Sequence, residues 1–250
     1  MTGSGKGKAK KRTGSLAEHN LFREVHKTFE GLKVPYWLDQ GTLLGIIREG
    51  ELLKSDHDID LGLFIEDYRK HKKEIIRRLQ KRGRLLETYK PHQLTITDLE
   101  GTDSVINIAF YRREKGRAVK DLCYPVSGPV VKALINIVLF CAHAREGTIK
   151  AKMVPGLQKS LALVLAKIIP APFWNLLCYS AGRSQYFFRP FFKMVVDEKY
   201  FLNLAIITGA GLELPVPGYT HDYLVLKYGP DWRVPRDGWL YWQDDGAISP

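Results

Sequence analysis

Cysteine is scarce in this chain. Its 250 residues hold three, Cys123, Cys141 and Cys178, an odd number at wide spacing. That excludes a disulfide framework and a clustered zinc site, and it fits a reducing compartment. Long apolar runs are lacking too. No charge-free run reaches the roughly 18 residues a spanning helix needs, so none is expected. The nearest approaches are "ALINIVLFCAHA" (133–144) and "LALVLAKIIPAPFWNLLCYSA" (161–181), the second interrupted by Lys167, Pro170 and Pro172. Both are read as helices covering a core, with interfacial helices on a bilayer as the alternative. Acid is missing from the first fourteen positions, "MTGSGKGKAKKRTG", which carry Lys6, Lys8, Lys10, Lys11 and Arg12. This is the composition of a disordered basic tail, and it has no apolar stretch of a signal peptide.

What remains is a globular composition. Hydrophobic residues make up 45%, enough to bury a core. Five of the 38 Lys and Arg lie in the tail, leaving 33 against 27 acids, a surplus of +6. That surplus suits phosphate-bearing ligands or a membrane surface without naming either.

Hydrophobic periodicity orders the chain. Ser15 and Glu18 form a capping box. Leu21, Phe22, Val25, Phe29 and Leu32 follow at helical spacing, predicting a helix over 16–31 that ends near Gly31. "VPYWLD" (34–39) reads as a short strand. Thr42 is expected to cap a short helix over 43–49. "DIDLGLF" (58–64) reads as a strand and 66–83 as a charged helix, with strands at 85–90, 92–98 and 104–113. From Gly128 to about 207 the texture is helical. The last forty residues, rich in proline, glycine and aromatics, read as short elements wrapped on the body. The expected fold is α/β (α+β), a mixed sheet with flanking helices and a mostly helical middle region. The expected divisions are a tail (1–14), a catalytic core (15–125), a helical subdomain (126–207) and a C-terminal wrapping segment (208–250).

The chemistry concentrates in "LLKSDHDIDLGLF" (52–64). Residues two apart on a strand share a face, so Asp58 and Asp60 project together while Ile59 and Leu61 face the core. Adjacent carboxylates repel, and a divalent cation relieves the repulsion. Mg²⁺ favours such sites, held by one or two carboxylates plus phosphate oxygens. Just upstream, Gly41 and Thr42 sit at a strand-to-helix junction, where backbone N–H groups and the helix dipole can hold phosphate. Arg48 is placed to pair with a phosphate or with the aspartates. Carboxylates beside a phosphate cradle point to phosphoryl or nucleotidyl transfer, in which catalysis is positioning and charge neutralisation.

"YWLDQGTLLGIIREGELLKSDHDIDLGLFIEDY" resembles the LicD/fukutin family of nucleotidyltransferase-fold phosphotransferases, on its fukutin-like branch. "YLVLKYGPDWRVP" (223–235) resembles that family's closing element. The resemblance implies transfer of a phospho-alcohol, phosphocholine or a polyol phosphate such as ribitol phosphate, from a CDP-linked donor to a glycan or lipid-linked glycan. Mg²⁺ or Mn²⁺ is the implied cofactor. Asp58 and Asp60 are the implied metal ligands, and Gly41 and Thr42 the implied holders of donor phosphate. The family's third carboxylate is expected in "VINIAFY", where this chain has Asn107. Three readings stay open: Asn107 serves as a neutral ligand, Asp103 substitutes for it, or the protein binds donor without turning it over. Asp56 and His57 are further candidates.

Tyr228, Trp232 and Pro235 can stack on a cytosine or a sugar, but an aromatic clasp over the catalytic half is the preferred reading. Asp222, Asp231 and Asp237 are expected at the surface, and His92 has no partner legible in sequence. Two rival functions remain: a degenerate donor-binding protein, motivated by Asn107, and an RNA-directed nucleotidyltransferase, motivated by the basic tail and ranked last, so nucleic acid is not the expected partner. Docking of the middle region's basic residues on anionic lipid is a further reading. The expected location is the cytoplasm, peripheral to an inner membrane, or the Golgi lumen in a eukaryote.

Overall fold

In a computed structural model of the chain, the residues described are Leu16, 19–54, Asp56, 58–81, 84–87, 92–98, 105–123, 191–209 and 211–249. Helix α1 (Asn20–Leu32) buries Leu21, Phe22, Val25 and Phe29, the stripe read from spacing. It starts four residues later than expected, and Lys33 ends it in the left-handed region with φ of 53°. The expected capping box lies outside the described residues.

Strand β1 (Trp37–Leu38) leads into α2 (Gln40–Glu49), and β2 (Ile59–Phe64) leads into α3 (Ile65–Lys81). Then come β3 (Arg84–Glu87), β4 (Gln93–Asp98), β5 (Val105–Glu114) and β6 (Arg117–Cys123). Strand β7 (Phe191–Asp197), α4 (Lys199–Leu202), β8 (Ala205–Gly209), β9 (Leu212–Val216), α5 (Thr220–Tyr228) and β10 (Ile248–Ser249) complete the order.

Among the described residues the main sheet has eight strands in the order β1-β2-β5-β6-β7-β10, with β4 also on β5 and β3 on β4. Strand β5 is its hub. It runs parallel to β2, with Asp60 beside Asn107, and antiparallel to β4, with Thr95 beside Asn107. The other pairings are antiparallel, so the sheet is mixed, as the element order implied. A separate hairpin pairs β8 with β9.

Two parts of the sequence reading need correction. Strand β6 was not anticipated, although its turn is legible afterwards: Lys115 and Gly116 both take positive φ, 50° and 76°, as a tight hairpin requires. The helical stretch expected to about 207 lies, for 126–190, outside the described residues. Its remainder is strand, short helix, strand, because "FFKMVVD" alternates buried with half-buried or exposed positions and pairs with β6.

Strand β2 is buried on both faces towards its end. Ile59, Leu61 and Leu63 pack into the core. On the Asp60 face, Gly62 lies beneath Trp37, where an added Cβ would come within 2.3 Å of the indole nitrogen. Trp37 stacks on Phe201 at 4.1 Å between ring centroids and meets Tyr111 at 5.3 Å. Tyr223 packs on Phe201 at 5.5 Å. The C-terminal segment therefore clasps the N-terminal half, and Trp232, only 4% exposed, belongs to the core.

Candidate active site

The turn entering α2 builds one wall. Asp39, not Thr42, is the N-cap: its Oδ1 accepts from Gln40 N at 2.9 Å, and the helix starts three residues earlier than expected. Leu43 N donates to the Asp39 carbonyl oxygen, which leaves the Gly41 and Thr42 amides in the first turn without an intrahelical acceptor. Gly41 lines a cavity of about 1550 Å³. Thr42 does not. It is fully buried, and its hydroxyl accepts from Asp60 N at 2.8 Å. The Thr42 side chain locks α2 to β2. Asp39 N donates to the Asp60 carbonyl oxygen at 3.0 Å and makes the same join from the other side.

Asp56, Asp58 and Asp60 come together at the mouth of β2, each offering an oxygen within 4.8 Å of the other two. All three line the cavity and are half-buried. Burial, then Asp58 and Asp56, pushes the Asp60 carboxyl well above the usual carboxylate range, with Lys120 acting the other way. A strained all-oxygen trio is the donor set a hard divalent cation takes. The residues present therefore fit Mg²⁺ or Mn²⁺.

Gly41 contributes more than an amide. A Cβ there would lie 2.2 Å from Asp56 Oδ2, so only glycine lets that carboxylate rest against the helix start.

Asn107 is at the site but turned away from ligation. Its Nδ2 donates to Asp58 Oδ2 at 2.5 Å, while its Oδ1 accepts from Thr95 Oγ1 at 3.1 Å and Gln93 Nε2 at 3.4 Å. A third carboxylate, that of Asp56, lies beside Asp58 and Asp60. His57 and Asp103 lie outside the described residues. Arg48 lines the cavity, yet its partners are Glu49 at 2.7 Å and the Trp232 carbonyl oxygen at 3.5 Å, not the aspartates. Tyr228, Trp232 and Pro235 all line the cavity, and Tyr228 meets Trp239 at 4.8 Å. Asp222, Asp231 and Asp237 are exposed, as expected. His92 lines the cavity, and its carbonyl oxygen accepts from Phe110 N.

The sequence reading missed a buried polar group behind this wall. Asp39, fully buried, accepts from Tyr111 OH at 2.6 Å and Tyr223 OH at 2.9 Å, with Lys120 Nζ at 3.3 Å. Burial works to raise its pKa, but Lys120, Lys227, Tyr111 and the Gln40 amide outweigh that and hold it well below the usual range. Burial lowers the Lys120 pKa, opposed by Asp39. Lys227 pairs with Asp245 at 2.7 Å, both fully buried. Four different elements and the C-terminal tail supply these groups, so spacing carried no signal of the network. The one available cue was a charge inside an apolar alternation, such as Lys120 in "RAVKDLC".

The site is a carboxylate trio at the mouth of a mixed sheet, beside a helix start. Residues 33–135 match the family described as LicD/FKTN/FKRP, nucleotidyltransferase domain. Mouse "Ribitol-5-phosphate transferase FKTN" is 44% identical over 63 residues, 25% of this chain and 13% of that protein. Mouse "Ribitol 5-phosphate transferase FKRP" is 44% identical over 45 residues, 18% of this chain and 9% of that protein. The chain thus spans only a small part of the length of the curated relatives it matches. Among solved structures, the antibiotic-resistance factor ANT(2'')-Ia covers 69% of this chain and 95% of its own, at 16% identity and a TM-score of 0.32. At that TM-score the similarity bears on neither fold nor function.

Proposed function

We propose that this protein transfers a phospho-alcohol, phosphocholine or a polyol phosphate such as ribitol phosphate, from a CDP-linked donor to a hydroxyl of a glycan or lipid-linked glycan, with Mg²⁺ or Mn²⁺ as cofactor. The observation that carries this reading is the Asp56–Asp58–Asp60 trio, within 4.8 Å, in a cavity it shares with the first turn of α2. In the reaction the acceptor hydroxyl gives up its proton to water, its oxygen forms a bond to phosphorus, and the bond from phosphorus to the cytidine monophosphate oxygen breaks, that oxygen leaving with the electron pair. Asp56, Asp58 and Asp60 would hold the cation, which supplies charge neutralisation for the phosphates and the leaving group. Asn107 holds Asp58 in place by its amide N–H. The Gly41 amide, at the positive end of α2, faces phosphate charge. The cavity has room for a nucleotide-linked donor and the end of an acceptor. This reading puts the protein where such donors and acceptors meet, in the cytoplasm at an inner membrane or, in a eukaryote, in the Golgi lumen.

The test is cytidine monophosphate release from CDP-choline, CDP-ribitol and CDP-glycerol with Mg²⁺ or Mn²⁺ and a glycan acceptor. Release from one donor, abolished by chelation, is expected. No release from any of them overturns the reading. A second reading, donor binding without turnover, is favoured by the Asn107 oxygen being occupied by Thr95 and Gln93. Calorimetry showing metal-dependent donor binding in a protein that releases nothing would select it.

A further inference from the structure

Lys120 lies on β6 and lines the cavity, though its side chain is only 2% exposed. Its ammonium carries three N–H donors. One reaches Asp39 Oδ2 at 3.3 Å, longer than the roughly 2.7–2.9 Å usual for a charged pair. It also meets the Tyr111 ring, 5.1 Å to the centroid, and its charge attracts those of Asp60 and Asp245, but among the described residues no further acceptor is hydrogen-bonded to its remaining donors. Asp39 does not depend on this bond, because Tyr111, Tyr223 and the Gln40 amide already donate to it at 2.6 to 2.9 Å. A buried ammonium with unmet donors is costly unless a ligand completes it. Here the ligand would come from the cavity, which on its other walls holds the carboxylate trio and Gly41.

We propose that Lys120 is a phosphate-binding residue of this cavity, its ammonium taking an oxygen of a phosphate or pyrophosphate group, with Asp39 as the positioning residue that holds it in the floor. This deepens the proposed function and rests on the reading that the cavity takes a phosphate-bearing donor. The carboxylate trio and Lys120 divide the work: the trio serves the cation, and Lys120 meets the anion directly. As a compact point charge, lysine suits a phosphate whose orientation is set elsewhere in the site.

The test uses magnesium pyrophosphate as the probe, titrated by calorimetry into the whole 250-residue chain, with Mg²⁺ alone titrated in parallel. Wild type is expected to bind the probe. Lys120→Met is expected to weaken it by about tenfold or more, as loss of one charged hydrogen bond does. Lys120→Arg is expected to stay within about threefold, since it keeps a cation. Mg²⁺ alone should bind Lys120→Met as tightly as wild type or more tightly, because a neighbouring positive charge has been removed; a merely structural defect would weaken both titrations together. If Lys120→Met does not fold, the pair Asp39→Asn/Lys120→Met removes both buried charges and is read by the same criterion. Wild-type-like binding by the folded methionine variant, or no binding by wild type, overturns the proposal. Pyrophosphate bound through Lys120 by a protein that cleaves no CDP-linked alcohol leaves this inference standing and removes the transfer reading.

Discussion

Asn107 donates its amide N–H to Asp58 Oδ2 across the parallel pairing of β5 with β2, while its own oxygen is taken by Thr95 and Gln93. The residue standing where a third carboxylate was expected therefore holds Asp58 in place. Asn107→Asp replaces that donor with a charge facing Asp58. Without metal, the variant should be less stable than wild type by about 1–3 kcal/mol, the cost of an unpaired buried polar contact. Saturating Mn²⁺ should recover most of the loss by relieving the repulsion. Thermal melts with chelator and with Mn²⁺ check this. Equal melting temperatures in chelator would show that the position accepts a carboxylate without strain, as a metal ligand would.

Asp60 gives a prediction of opposite sign for stability. Burial, then Asp58 and Asp56, raises its pKa above the unfolded value, so at neutral pH its ionised form works against the metal-free fold. Asp60→Asn should raise the metal-free melting temperature, while Mn²⁺ loses its stabilising effect. Removing one ligand should also cut cytidine monophosphate release by about a hundredfold or more, since the cation supplies several kcal/mol of charge stabilisation. A variant that melts lower in chelator and still responds to Mn²⁺ would contradict the geometry.

The parts of this site that follow local rules were legible in the sequence. Asp58 and Asp60 share a face because strand side chains alternate, and Gly41 sits at the helix start because a strand-to-helix turn leaves its mark locally. Thr42 was misjudged by three residues of helix boundary. Asp39 took the cap because its side chain could reach the Gln40 amide, and that turned Thr42 inward onto Asp60 N. Asp39's other partners were not readable. Tyr111, Lys120 and Tyr223 lie 72, 81 and 184 residues away in sequence, and only the folded sheet brings them together. Strand β7 was lost to the same cause: "FFKMVVD" is a short apolar run whose strand character depends on its partner β6.

Gly41→Ala separates the helix from the site. Alanine within a helix is favoured over glycine by about 1 kcal/mol, so α2 and the fold should be unharmed. The new Cβ would lie 2.2 Å from Asp56 Oδ2 and must displace that carboxylate. Mn²⁺ affinity should fall by about tenfold or more, the size of effect seen when a metal site's supporting geometry is disturbed. Calorimetric titration of Mn²⁺, with circular dichroism as the control for folding, reads both halves. Unchanged affinity in a folded alanine variant would remove Asp56 from the cation site.

Asp39→Asn tests the buried group through pH. The wild-type carboxylate is fully buried against Lys120 and accepts from Tyr111 and Tyr223. Replacing it leaves buried positive charge poorly compensated, at a cost of about 3–5 kcal/mol near neutrality. Because the folded pKa of Asp39 is held below its ordinary value of 3.8, this stabilisation is present in full above that value and is lost as the pH falls toward and through the lower folded pKa. The difference between wild type and variant should therefore stay constant from neutrality down to about pH 5 and narrow in more acidic solution. Asp60 titrates in both proteins and cancels from the comparison to first order. Urea unfolding in chelator at successive pH values measures the difference directly. A gap that widens on acidification would mean that Asp39 is not the ionised partner of Lys120.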